Sequence, residues 1–198
     1  QVIHMEIGAT KAVQDRLKTT KIEESKGASL VFCWDTHLTK IKGRNVLFIV
    51  NASNRYTIAM TDIEPRNWNY YAMYIIRVIH GMMQEMGYSE EQIEQYFKMS
   101  GDTTITKTHG RKSVGGINRM VMDAQYFGKK LEKEAKYQWE LSEYLNRDIC
   151  QPEGFDAYGY PNELFKLDME RLGIATKRKP AKVIDFAQYI ENNRGTNH

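Results

Sequence analysis

Apolar positions along this chain change period several times, and each change marks a new element. Met5–Ile7 reads as a short strand. Thr10 offers an N-cap to a short helix reaching about Lys18, with Val13 and Leu17 one turn apart on one face. The polar stretch Lys18–Ser29 predicts a loop. Leu30–Trp34, with Leu38 and Ile41 continuing the alternation, then Val46–Val50 and Tyr56–Met60, predict three strands. The turns Lys42-Gly-Arg-Asn45 and Asn51-Ala-Ser-Asn54 between them make an antiparallel meander.

Period then shifts toward 3.6. Trp68, Tyr71, Ala72, Ile75, Ile76, Ile79, Met82, Met83 and Met86 line one helical face, and Gly87 supplies the stop. At this spacing the methionines are core filler rather than a binding groove. Ser89 with Gln92 forms a capping box before a shorter helix whose inner face is Ile93, Tyr96 and Phe97. Thr103–Thr108 alternates as a strand. Ser113 is placed to cap one long helix, Val114–Asn146, with a stripe from Ile117 and Met120 to Trp139 and Leu145. Gln151–Tyr160 reads as an ordered irregular loop, Asn162–Leu172 as a helix ended by Gly173, and Val183–Ile190 as a last helix. The expected fold is α+β: a meander of about four to five strands packed against several helices. Residues 5–149 form the expected core domain, and 150–198 a C-terminal extension packed on it. The four residues before Met5 are read as a tag remnant outside the fold.

Composition adds bounds. The chain has 198 residues, 41% hydrophobic and 27% charged, as a folded domain of one core requires. No apolar run approaches the roughly 20 residues of a membrane span, and no secretory signal is visible, so a cytoplasmic location is expected. Cys33 and Cys150 stand far apart, which predicts two reduced thiols. Histidines 4, 37, 80 and 109 are scattered and no acidic cluster is evident, so neither a metal site nor a cofactor is expected.

Charge points to one region. Thr103–Met122 holds Lys107, Arg111, Lys112 and Arg119 and no acid. It joins a strand to a helix whose first turns carry Gly115 and Gly116, a setting suited to an anion or phosphate. It is neither a P-loop nor a dinucleotide fingerprint, because the glycine spacing of both is missing. Asn51–Tyr56 is a second polar cluster, Asp35 with His37 a pair that could serve as base and orienter, and Lys177-Arg-Lys179 with Lys182 a second basic patch.

Three groups of residues carry a resemblance: Phe32-Cys-Trp34; Val46-Leu-Phe-Ile-Val-Asn51 with Asn54-Arg-Tyr56; and Thr106-Lys-Thr108 with Arg111 and Asn118. Over residues 5–125 the chain resembles an uncharacterised bacterial domain-of-unknown-function family, patterned as a Trp strand, a V-N-x-x-x-R-Y hairpin and T-K-T-x-x-R-S followed by Asn. Lys112 departs from that pattern by separating Arg111 from Ser113. The resemblance brings no established activity, but it marks Asn51, Arg55, Tyr56, Lys107, Arg111 and Asn118 as matching polar positions.

The leading expectation is a polyanion-binding protein for RNA or DNA, in a bacterial or mobile-element setting. Lys107, Arg111, Lys112 and Arg119 would contact phosphates, Asn51, Arg55, Tyr56 and Asn118 would complete the site, and Tyr56 or Trp34 would stack bases. Two alternatives stand beside it. One is a protein-interaction or scaffold module without catalysis. The other is an enzyme: a metal-independent RNA-cleaving one with His109 as general acid or base, or one that holds a phosphorylated ligand at a Ser113–Ile117 helix start.

Overall fold

The computed structural model describes residues 4–18 and 20–176. The helix expected at Val183–Ile190 and the basic patch at Lys177–Lys182 lie outside the described residues.

Five strands form one sheet in the order β4-β3-β2-β1-β5. They are β1 (His4–Ala9), β2 (Cys33–Ile41), β3 (Arg44–Asn51), β4 (Thr57–Thr61) and β5 (Asp102–Thr106). The expected meander is present as β2-β3-β4, paired antiparallel through Thr36↔Ile49 and Phe48↔Ala59. The sheet as a whole is mixed, because β1 runs parallel to both β2 and β5. Parallel neighbours need long crossovers, and the loop after α1 (Lys11–Gln14) and the helices before β5 supply them. Residues 1–4 are not all outside the fold: His4 opens β1, and its Nε2 lies 2.6 Å from Thr104 Oγ1.

Strand parity assigns each face. Met5, Ile7, Trp34, Leu47, Ile49, Ile58 and Ile105 point to one side and pack on α3 (Tyr71–Glu85) and α4 (Glu90–Ser100). Trp34 donates its indole N–H to the Tyr96 hydroxyl, which donates to Val31 O, so the largest fully buried side chain has no stranded polar atom. The Ser89–Gln92 capping box is present. The helix expected from Trp68 is divided by Tyr70 (φ −118°, ψ 47°) into α2 (Pro65–Asn69) and α3. α7 (Pro161–Arg171) inserts Phe165 against Trp34, Tyr56 and Tyr88, which makes this part of the C-terminal region integral to the core.

The opposite face carries Ile41, Val46, Phe48, Val50 and Ala59 under α5 (Gly110–Gln125) and α6 (Trp139–Asn146). The single helix expected over 114–146 is two. Between them, 126–138 runs along the outer edge of β4: Thr61 N–H donates to Lys136 O, and Gln138 N–H to Ala59 O. Asn146 continues this, accepting from Thr57 N–H and donating to Thr57 O. An open sheet edge demands partners, and that demand outweighs the helical propensity of the Lys- and Glu-rich segment.

Candidate functional site

Parity on β1 and β2 also places polar groups indoors. Glu6 pairs with Cys33, and Gly8 with Asp35, so all four share the face that α5 covers. The first turn of α5 descends on them. His109, at the N-cap position, sends Nδ1 to 2.7 Å from Asp35 Oδ1 and Nε2 to 2.7 Å from Glu6 Oε2. The backbone N–H of His109 also donates to Asp35, at 3.2 Å, as does the Ser113 hydroxyl. Asp35 is therefore the cap of α5, supplied from a distant strand, where the sequence pointed to Ser113. The helix starts at Gly110, whose N–H already donates to Thr108 O, so the N–H groups of its first turn without an acceptor in the helix are those of Arg111 and Lys112, ahead of the Ser113–Ile117 stretch expected to cradle a phosphate.

The cluster is sealed. Glu6, Asp35 and Cys33 are fully buried, and the His109 side chain is 5% exposed. Carboxylates only accept, so a ring with both nitrogens against carboxylate oxygens carries both protons. Burial opposes that charge, but the bonds to Asp35 and Cys33 hold the imidazolium, pushing its pKa up to about 11. Burial also acts to raise Glu6, yet hydrogen bonds from Ser25 Oγ, the Lys26 N–H and His109 bring it below the usual carboxylate range. Burial pushes the Cys33 thiol up, against the pull of His109. Gly8 is needed here: a Cβ on it would stand 1.8 Å from Asp35 Oδ1.

The sequence-marked residues divide into two sets. Asn51 is buried. Its Oδ1 accepts from the Ser53 and Asn54 N–H groups and its Nδ2 donates to Val31 O, so it shapes the turn after β3. Tyr56 and Trp34 are buried and cannot stack a base. Arg55 takes a positive φ of 61° and lays its guanidinium over Gly116, where a Cβ would be 2.8 Å from Nε. That contact pins the hairpin to α5. His37 bonds Thr10 Oγ1 at 2.9 Å and does not orient Asp35.

The second set faces water. Arg111, Lys112, Gly115, Asn118 and Arg119 are exposed on α5. Spacings of four and seven put Arg111, Gly115 and Asn118 on one line, with Lys112 and Arg119 beside it. Lys107 is drawn off to Glu24 at 2.5 Å, Arg119 pairs along the helix with half-buried Asp123, and Lys112 reaches Glu153 at 3.8 Å. The exposed Met122 and Tyr126 extend the line. Asn51 and Tyr56 therefore do not join Arg111 and Asn118 in one cleft. Sequence reading misses Glu6 and the role of Asp35. The only signal is an acid at an inward position of a strand that otherwise reads apolar.

No helix among the described residues is long and apolar enough to cross a membrane. No curated protein and no solved structure matches the chain. A family profile described as a domain of unknown function, DUF6933, matches residues 6–164, from the acid of β1 through α7's first turn and so across both polar regions. The chain belongs to the DUF6933 family.

Proposed function

We propose that the chain binds a polyanion, RNA or DNA, along the outward face of α5. One observation carries the reading: Arg111, Lys112, Asn118 and Arg119 are exposed together there, with no exposed acid on the helix. Long cations on a rigid helix contact phosphates without any loop having to be ordered first. Gly115 supports it, since a Cβ at that position would meet nothing within 4 Å. No packing reason requires that glycine, whereas a ligand backbone approaching the helix gains from its absence of a side chain. Tyr126, 79% exposed at the end of the same face, offers the stacking surface that buried Tyr56 and Trp34 do not. A bacterial or mobile-element protein of the cytoplasm is the setting this implies. Cleavage by His109 is not favoured, because both of its ring nitrogens are already engaged.

Fluorescence anisotropy with labelled single-stranded RNA, single-stranded DNA and duplex tests this. Affinity is expected to fall steeply from low to physiological salt. The triple variant Arg111→Ala, Lys112→Ala, Arg119→Ala should lower the salt slope by about 2 to 3. Absence of binding to all three probes at low salt overturns the reading.

A further inference from the structure

We propose that Glu6, Cys33 and His109 form a binding site for a divalent transition metal of the zinc type, with Asp35 as a positioning residue. One donor atom from each of the three lies within 4.8 Å of the others. The donors come from β1, β2 and the start of α5, three elements held together by the sheet and its covering helix.

Thiolate, imidazole and carboxylate together suit Zn2+ or Co2+ and not Mg2+ or Ca2+, which take oxygen donors. Metal–ligand bonds of about 2.0–2.3 Å set tetrahedral donors roughly 3.3–3.7 Å apart. His109 Nε2 and Glu6 Oε2, now 2.7 Å apart, need to part by well under 1 Å to admit the ion. The surroundings supply what an ordered ligand set needs. Asp35 holds Nδ1 at 2.7 Å, which leaves Nε2 as the ligating atom, the carboxylate–histidine–metal arrangement. Ser25 Oγ and the Lys26 N–H, each 2.7 Å from Glu6, fix the carboxylate from the loop above. Cys33 lies beside the ring, hydrogen-bonded with His109, with further contacts of 3.4 Å to Ser29 O and 3.8 Å to Ala28 O.

The competing arrangement is a metal-free bridge, Glu6–His109–Asp35, in which a doubly protonated ring joins the two acids. It requires no metal-bound thiolate from Cys33, and that difference makes the two separable. The inference stands apart from the polyanion reading, since its readout is the metal alone.

The full chain, stripped with chelator and shown to be folded by circular dichroism, is titrated with Co2+. One equivalent should bind, giving a thiolate-to-cobalt charge-transfer band in the near ultraviolet and tetrahedral d–d bands in the visible. Zn2+ should displace it and raise Tm. Cys33→Ser should remove the charge-transfer band. Asp35→Asn should weaken binding about 10- to 100-fold while keeping the band. The chain has two cysteines. If Cys33→Ser does not fold, a band retained in Cys150→Ser assigns the thiolate to Cys33, and its loss there overturns the proposal. No cobalt spectrum from the folded chain, or a band that survives Cys33→Ser, also overturns it.

Discussion

The first two turns of α5 present two polar surfaces made under opposite rules. Inward, His109 and Ser113 meet the fully buried Asp35 and Glu6, and their side chains are satisfied by one another. Outward, Arg111, Lys112, Asn118 and Arg119 stand in solvent, where water satisfies them and pairing is optional. Buried polar groups without partners cost several kcal/mol each, so the inward set is constrained by folding itself. Exposed charges contribute little to stability, which leaves the outward set free to answer to a ligand. A cluster of chemistry-bearing residues is therefore not by itself a site of chemistry. The inward one holds α5 on the sheet, and under the metal proposal it would do so through an ion.

This contrast breaks if mutations on the two sides cost alike. Asp35→Ala should be the most damaging, about 3–5 kcal/mol in chemical denaturation, because it strands a buried imidazolium and uncaps α5. Gly8→Ala follows at about 3 kcal/mol, through the collision with Asp35 Oδ1 and with Thr108 Cα at 3.1 Å. Asn51→Ala should lose about 1–3 kcal/mol, since the N–H groups of Ser53 and Asn54 lose their acceptor.

Adjacent glycines sharpen the comparison. Gly115→Ala should stabilise by about 0.5–1 kcal/mol while weakening any nucleic-acid affinity. Gly116→Ala should gain less, because the Arg55 guanidinium must shift to admit a methyl group. Last, the triple cation variant should leave Tm within a few degrees of wild type and act only on binding. A stability loss there as large as that of Asp35→Ala would make the outward face structural.

Much of the fold is legible in the residue pattern. Alternation marks β2, β3 and β4, the Ser89–Gln92 pair marks α4's start, and the missing acids of 103–122 mark α5's outward face. These are local signals, set by side-chain period and by neighbours three or four residues away. The departures from the pattern share a different cause. One expected helix becomes α5 and α6 because the β4 edge requires backbone partners from 126–138. The Asn51–Tyr56 cluster reads as a polar turn that could complete a binding site, but Asn51 and Tyr56 lie buried, because their partners, Val31 O for Asn51 and Phe165 for Tyr56, come from elsewhere in the chain.

Sequence alone determined the three strands of the meander, most of the helical segments though not where two of them divide, and the position of the exposed cations. Only the tertiary structure decided that β1 pairs parallel with both β2 and β5, and that pairing brings Glu6, Cys33, Asp35 and His109 together. Asp35 and Glu6 stand 74 and 103 residues before His109. No periodicity spans such distances. What joins them is the register of a sheet and the requirement that charge taken out of water be met by charge.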